Sequence, residues 1–115
     1  MASLVVEWTD ATGMEPPPPY TPDSYRIIVR YRGGWKRSLD TEVLAGVGIY
    51  QFSNQPGGEY TVRVYGVYGG TLVSLAYASD SKILEGDTVD AEFGDAPPSG
   101  SEDVPAPDSV TLTSP

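Results

Sequence analysis

The sequence predicts an all-β fold, an antiparallel β-sandwich with an extended acidic arm at its C-terminal end. Three observations favour this fold. Apolar and polar residues alternate with a period of two in several short segments, as in strands that bury one face. Thirteen Gly and 11 Pro in 115 residues supply tight turns between such strands. More than half of the 16 acidic residues lie beyond residue 79, where Pro, Gly and Ser also accumulate.

The first predicted strand covers residues 4–8. Its alternation places Trp8 on the face that is expected to be buried. Large aromatic side chains dominate the cores of small sandwiches, so Trp8 is interpreted as a core anchor. The following loop, residues 9–24, contains four consecutive prolines at 16–19. Because prolines in series favour polyproline II, this segment is interpreted as a stiff loop between strands, with docking on an aromatic groove as the alternative.

The second predicted strand, residues 25–32, alternates an apolar set with an arginine set, and a turn at Gly33-Gly34 leads to a return strand over 35–44. Five of the seven basic residues therefore fall on one face and edge of one sheet. A basic patch beside aromatic residues could bind nucleic acid, but a net charge of −9 repels a polyanion, so no nucleic-acid partner is predicted. The proposed patch consists of Arg26, Arg30, Arg32, Lys36 and Arg37, with Trp35 among them.

The central stretch, residues 49–67, reads as a strand, a tight corner and a second strand. Pro56 fixes its own φ, and Gly57 and Gly58 tolerate positive φ, so the backbone can reverse there. After Tyr60 the residues alternate again, with valines on one side and Thr, Arg and Tyr on the other. The residues expected to form the core are Trp8, Tyr25, Ile27, Val29, Tyr60, Val62 and Val64.

The spacing Pro-Gly-x-x-Tyr-x-Val-x-Val over 56–64, with Trp8 in an earlier strand and Tyr25 opening the next, resembles a fibronectin type III domain over roughly residues 4–84. The resemblance implies that Tyr60 packs under the corner and hydrogen-bonds back to the backbone, as a tyrosine corner. Two features depart from the family. Asn54 stands where the family has an apolar residue, and no first strand precedes residue 4.

The last third of the chain is expected to contain three parts. Residues 72–84 form a long strand with a bulge at 79–81, which closes a sandwich domain of residues 1–86. An acidic Pro/Gly/Ser-rich linker follows at 87–109. Residues 110–115 contain a strand-forming segment with β-branched residues, including Val110 and Leu112.

The segment 105–114 resembles the first strand of a fibronectin type III domain, although it stands at the C-terminal end. Three explanations remain open at this point. The segment could fill the vacant edge of its own domain, fill the edge of a neighbouring copy, or belong to a following repeat. Since the tail is acidic and residues 26–37 are basic, the hypothesis favoured here is contact with a neighbour or with another component of an assembly.

The composition excludes several kinds of chemistry. The chain has no Cys and no His, which rules out disulfides, thiolate metal sites and a Ser-His-Asp triad. Carboxylate pairs such as Asp87 and Asp90 fall in segments expected to be solvated, and no phosphate-binding loop is present. Acidic residues between 80 and 92 could meet calcium, but their spacing matches no EF-hand loop, so no metal or cofactor is predicted. No apolar run is long enough to cross a bilayer, and the apolar start at 1–8 is too short for a signal peptide.

The expected function is therefore noncatalytic. A reading frame that starts at Met1, an acidic surface and a long arm favour a structural or decoration module on a phage virion, in the capsid or tail, joined through the C-terminal arm to protein partners or to other copies. The alternative is a carbohydrate- or host-surface-binding adhesion module of a bacterial extracellular or tandem-repeat protein. In that case Trp35, Tyr20 and Tyr68 are the candidate stacking residues. The expected location is a virion or the extracellular surface, without membrane insertion.

Overall fold

The computed structural model describes residues 2–11, 20–94, 96–97 and 100–115. These residues form two antiparallel sheets that pack face to face, which confirms the predicted all-β sandwich. No described helix is long and apolar enough to span a membrane. The predicted polyproline stretch at 16–19 lies outside the described residues. The seven strands are β1 (Ala2–Thr9), β2 (Ser24–Tyr31), β3 (Gly34–Leu44), β4 (Ile49–Gln55), β5 (Gly58–Tyr68), β6 (Leu72–Leu84) and β7 (Ser109–Thr113).

One sheet has three strands in the order β4-β1-β7, and the other has four in the order β3-β2-β5-β6. In the first sheet, Val6 of β1 lies opposite Tyr50 on one side and Leu112 on the other. In the second sheet, Ile27 of β2 lies opposite Val64 of β5, which in turn lies opposite Ala78 of β6. The alternation of the sequence therefore directs one apolar set from each sheet into a shared core.

The core contains all seven residues that the sequence assigns to it, and each of them is buried. Trp8 packs on Tyr25, with ring centroids 6.2 Å apart. Four further residues that were not predicted for the core belong to this cluster: Leu39, Phe52, Leu84 and Leu112. The core thus draws on every strand of both sheets.

The corner at residues 56–58 is held by two tyrosine hydroxyls. Tyr60 donates to the Pro56 carbonyl at 2.6 Å, and Tyr31 donates to the Gly57 carbonyl at 2.7 Å. Their ring centroids lie 4.9 Å apart. Asn54, just before the corner, has a φ of 58°, a conformation that Asn tolerates better than a branched apolar residue does. This backbone conformation gives a physical reason for the departure from the apolar residue expected there.

The first hairpin turns one residue earlier than the sequence predicts. Arg32 and Gly33 have φ values of 49° and 93°, and β3 begins at Gly34. A two-residue turn with both φ values positive matches the right-handed twist of the flanking strands. Arg32 therefore lies in the turn and not on the strand face with Arg26 and Arg30.

The described part of the segment 85–108, called the arm below, is packed against the sandwich instead of extending from it as a linker. Near its start, the arm meets the free edge of β3, where the Arg37 amide donates to Glu92 and the Gly94 amide donates to Trp35, at 3.0 and 2.7 Å. Further on, Ser101 exchanges two backbone hydrogen bonds with β6. The acidic composition of this segment predicts a solvated chain. It does not report the unpaired backbone groups at the edges of β3 and β6, to which the arm bonds.

Strand β7 fills the vacant edge of β1 in its own chain. Of the three explanations that the sequence left open, the structure thus shows the first. Val110 and Leu112 were expected to contact a partner, whereas Leu112 is 4% exposed in the core and Val110 packs against that core. The hypothesis of an arm that reaches a neighbour consequently loses its support.

Asp80 of β6 connects the two sheets at β7. Its carboxylate accepts a hydrogen bond from the Leu112 amide at 2.7 Å, across the two sheets. The bulge predicted at 79–81 is absent, because the register of β6 is regular there and shifts instead opposite the pair Tyr65/Val67. The acidic residue that interrupts the apolar pattern has a partner in the other sheet, so it does not require a bend in the strand.

Candidate binding face

The outer face of the four-stranded sheet carries a row of aromatic and arginine side chains, called the aromatic–arginine face below. The register brings side chains from all four strands together there. Arg26 of β2 lies opposite Tyr65 of β5, and Tyr65 lies opposite Tyr77 of β6. The row consists of Arg26, Arg30, Trp35, Asp40, Arg63, Tyr65 and Tyr77.

Arg63 lies at the centre of this face between two rings. Its guanidinium carbon is 4.9 Å from the Trp35 ring centroid and 4.2 Å from that of Tyr77. Tyr77 also stacks on Tyr65, with centroids 5.4 Å apart. Each such cation–π contact contributes about 0.5–1 kcal/mol at an exposed site. The stack therefore holds a cation and two partly exposed rings in one arrangement before any partner arrives.

A second pair extends the face toward β3. The Asp40 carboxylate accepts hydrogen bonds from Arg26 Nε at 3.0 Å and from Arg26 Nη2 at 2.7 Å. This bidentate geometry fixes both side chains, and the hydrogen bond that Arg26 donates to Asp40 raises the pKa of Arg26. Ile28 lies opposite Asp40, on the same outer face of β2 as Arg26, and it is buried although it points away from the core.

A cavity of about 520 Å³ opens beside this pair. Trp35, Arg26 and Asp40 line it on the sheet side, and Gly94 and Ala96 line it on the arm side. Its walls thus combine an aromatic ring, a paired guanidinium, the basic residues Lys36 and Arg37, and backbone. A volume of this size is ordinary for a ligand-sized cleft.

The remaining basic residues of the predicted patch do not join the face. Lys36 Nζ donates to Gln55 at 3.2 Å and lies 4.9 Å from the Tyr31 ring centroid, and burial lowers its pKa. Arg37 and Arg32 are directed at carbonyls of the arm. Arg26 and Arg30 do lie on the face, with Trp35 half-buried beside them.

The three aromatic residues proposed for sugar stacking fall into two places. Tyr20 and Tyr68 pack against one another with ring centroids 4.9 Å apart and ring planes tilted by 37°, and both are exposed. Trp35 of β3 lies opposite Arg30 of β2, and Arg30 lies opposite Thr61 of β5. Thr61 is seven residues from Tyr68 along β5. At about 3.3 Å per residue these positions are roughly 23 Å apart, so the three rings do not form a single platform.

Four members of the face were not assigned to a site from the sequence: Asp40, Arg63, Tyr65 and Tyr77. The period-two pattern of β5 already directed Arg63 outward with Tyr65. Only the strand order β3-β2-β5-β6 and its register bring Arg63 of β5 to both Trp35 of β3 and Tyr77 of β6, because these residues are far apart in sequence. The outward position of Arg63 in the alternation of β5 is the signal that the sequence offers, and it does not identify the rings of β3 and β6 on either side.

Within the described residues, no three His, Cys, Asp or Glu side chains cluster so as to hold a metal ion. No family model and no curated protein matches the sequence. The geometry of the chain itself is therefore the basis for a functional proposal.

Proposed function

We propose that this chain is a noncatalytic β-sandwich module that binds a protein partner through the aromatic–arginine face, as a structural or decoration component of a larger assembly. The observation that carries the proposal is the position of Arg63 between Trp35 and Tyr77 on an outer sheet face. Such an arrangement contributes little to the core. It is the kind of surface that binding uses.

The composition of the face supports protein recognition. Tyr, Trp and Arg are the residues most enriched at the energetic centres of protein interfaces. Stacking and the Arg26–Asp40 pair fix these side chains in advance, so less conformational entropy is lost on binding. Tyr77 keeps 40% of its surface exposed for a partner.

Charge indicates the chemistry of the partner. Asp40 and Glu42 balance the charge of Arg26 at one end of this face, whereas Arg30 and Arg63 make its centre positive, in a chain whose net charge is −9. The face should therefore attract a partner that presents carboxylates beside an apolar or aromatic group.

The surface of a virion remains the proposed setting. The resemblance to a fibronectin type III domain supports a module of this kind, since β7 occupies the edge that a first strand would fill. The contact with the assembly is now assigned to the aromatic–arginine face, because the arm and β7 are engaged within their own chain.

Selection from a library of displayed random peptides tests the proposal on the full chain. We expect enriched peptides to combine Asp or Glu with an aromatic residue, and to bind Arg63→Gln at least about tenfold more weakly, a loss of roughly 1.4 kcal/mol. Arg32→Gln is the matched control, because it removes the same charge from the hairpin turn and should leave binding unchanged. Peptides that bind Arg63→Gln and the unchanged chain equally well would contradict the proposal.

Carbohydrate or host-surface binding is the second candidate, and the exposed Tyr20–Tyr68 pair favours it. Aromatic rings at a surface can stack on the apolar face of a sugar. If this candidate function is correct, we expect reproducible binding on a glycan array that is lost in Tyr68→Ala and kept in Trp35→Ala. Loss in Trp35→Ala alone would move sugar binding to the aromatic–arginine face, and an array without signal would contradict the candidate.

A further inference from the structure

The chain's own residues bond to backbone groups on three of its four sheet edges. The arm bonds to β3 through Glu92 and Gly94 and to β6 through Ser101. Asp80 meets the outer side of β7 at the Leu112 amide. At the fourth edge, β4, the side chain of Gln55 covers the Ser53 carbonyl, and no other described residue bonds to the outward backbone groups.

The register identifies which groups of β4 point outward. The Trp8 amide donates to the Gly48 carbonyl at 3.0 Å, and Val6 lies opposite Tyr50 in the same register. In an antiparallel pair, hydrogen-bonded and non-hydrogen-bonded positions alternate. The amides and carbonyls of Tyr50 therefore face β1, and those of Ile49 and Gln51 face the open edge.

The first part of β4, residues 49–52, lacks the usual protection of an exposed edge, and the register shift against β1 lies beyond it, at 53–54. Natural edge strands carry charged residues such as Lys, or a Pro, or a β-bulge, and each of these opposes pairing with another chain. Residues 49–55 contain no charged residue at all, in a chain with a net charge of −9. Val47 and Ile49 beside the edge are 52% and 48% exposed, so apolar surface continues past the strand.

We propose that β4 pairs antiparallel with β4 of a second copy of this chain, so that two three-stranded sheets join into one of six strands. A second copy fits for reasons of charge, because two molecules that each carry −9 can approach with the least repulsion along their uncharged strip. Pairing that strip with itself also places no like charges opposite one another.

The open groups set the register of the pair. The Gln55 side chain already donates to the Ser53 carbonyl. The outward amides and carbonyls of Ile49 and Gln51 are therefore the groups that can form two complete pairs with another strand. Placing Ile49 of one copy opposite Gln51 of the other satisfies all of them about a two-fold axis at Tyr50. An interface of this size belongs with weak, reversible associations.

Sedimentation velocity of the full chain, from about 10 μM to about 1 mM, tests the proposal in the range where weak dimers form. We expect a concentration-dependent dimer whose association constant falls at least about tenfold in Gln51→Lys, which adds a charge to the edge. Thr111→Lys is the control, because it adds the same charge to the same sheet on β7, where β1 separates it from β4. A chain that stays monomeric throughout, or equal weakening by both lysines, would overturn the proposal.

Gln51→Pro gives a second, independent result. Proline is tolerated on an edge strand where its missing amide would face outward, so the fold should persist while pairing is lost. Circular dichroism and urea unfolding confirm the fold of each variant before sedimentation, and if the proline variant does not fold, Gln51→Lys decides. Arg63→Gln should leave the dimer intact, which keeps this result separate from any failure of the aromatic–arginine face as a binding surface.

Discussion

At the scale of single residues, the corner at 56–58 shows how small chemical groups fix the chain. Two tyrosine hydroxyls bind consecutive carbonyls there, and the Gly57 amide donates to Asp87 at 3.0 Å. A buried carbonyl without a donor costs roughly 1–3 kcal/mol. The corner is thus satisfied only while both rings remain in place.

Replacing the hydroxyl of Tyr60 should weaken the fold without emptying the core. Tyr60→Phe keeps the ring and leaves the Pro56 carbonyl without its donor, so we expect the free energy of unfolding at pH 7 to fall by about 1–2 kcal/mol. Urea unfolding measures the change. Tyr68→Phe, at an exposed ring, is the control and should leave the free energy of unfolding almost unchanged. An equal loss of stability in both variants would argue against a stabilising hydrogen bond from Tyr60 to Pro56.

The same hydroxyl should make the fold sensitive to alkali. Burial, with a smaller effect from Tyr31, raises the pKa of Tyr60 well above its ordinary 10.0, and burial raises the pKa of Tyr25 as well. Above pH 10 the unfolded chain loses these protons while the folded chain retains them. Stability is therefore complete below pH 10 and falls as the pH rises further. Urea titrations between pH 8 and about 12 should show a shallower decline in Tyr60→Phe; parallel declines would contradict this assignment.

Gly57 should tolerate no side chain. A Cβ at this position would overlap the carbonyl of Gly86, whose backbone cannot move without breaking the corner. We expect Gly57→Ala to lower the free energy of unfolding by about 3 kcal/mol. Gly94→Ala is the control, because the nearest atom to its Cβ would be 3.8 Å away, in Arg37. Thermal unfolding of the two variants compares them, and similar stabilities would refute the clash.

At the scale of elements, the period-two pattern was enough to place the strands but not the arm. Alternation around Trp8, Ile27 and Val62 reports burial of one face, so β1, β2 and β5 could be assigned from sequence. The path of the arm depends on backbone groups at the β3 and β6 edges, which have no signature in side-chain composition. For the same reason, the sequence predicted a basic patch and missed the role of Arg63, since neighbours across strands are set by register.

Removing β7 should expose the edge of β1. Deleting residues 109–115 withdraws Leu112 from the core, which alone is worth about 2–3 kcal/mol, and leaves the outer groups of β1 unpaired. We expect lower stability and more self-association. Sedimentation and urea unfolding measure both effects. Deleting only residues 114–115, outside β7, should change neither. If the chain without residues 109–115 is as stable as the intact chain and no more self-associated, β7 is dispensable.

At the scale of the whole molecule, the net charge gives the two proposed interfaces opposite responses to salt. Raising the ionic strength from about 0.01 M to about 0.15 M shortens the Debye length from about 30 Å to about 8 Å. Repulsion between two copies is then screened, so the β4 dimer should strengthen. Attraction between the aromatic–arginine face and an acidic peptide is screened too, so that binding should weaken.

Sedimentation and peptide binding at the two ionic strengths test this difference, with Thr111→Lys as a charge control for the dimer. Salt responses of the same sign would mean that at least one of the two interfaces is wrongly assigned.

The pairing of β1 with β7 also affects how the protein is made. Thr9 and Ser109, which hydrogen-bond to each other, are 100 positions apart, so an early strand leaves the ribosome long before its partner exists. Contacts between such distant positions form late and slow the folding of β proteins. During that interval the nascent chain carries β1 with one side unpaired, and synthesis of the last strand becomes the step that ends its exposure to aggregation.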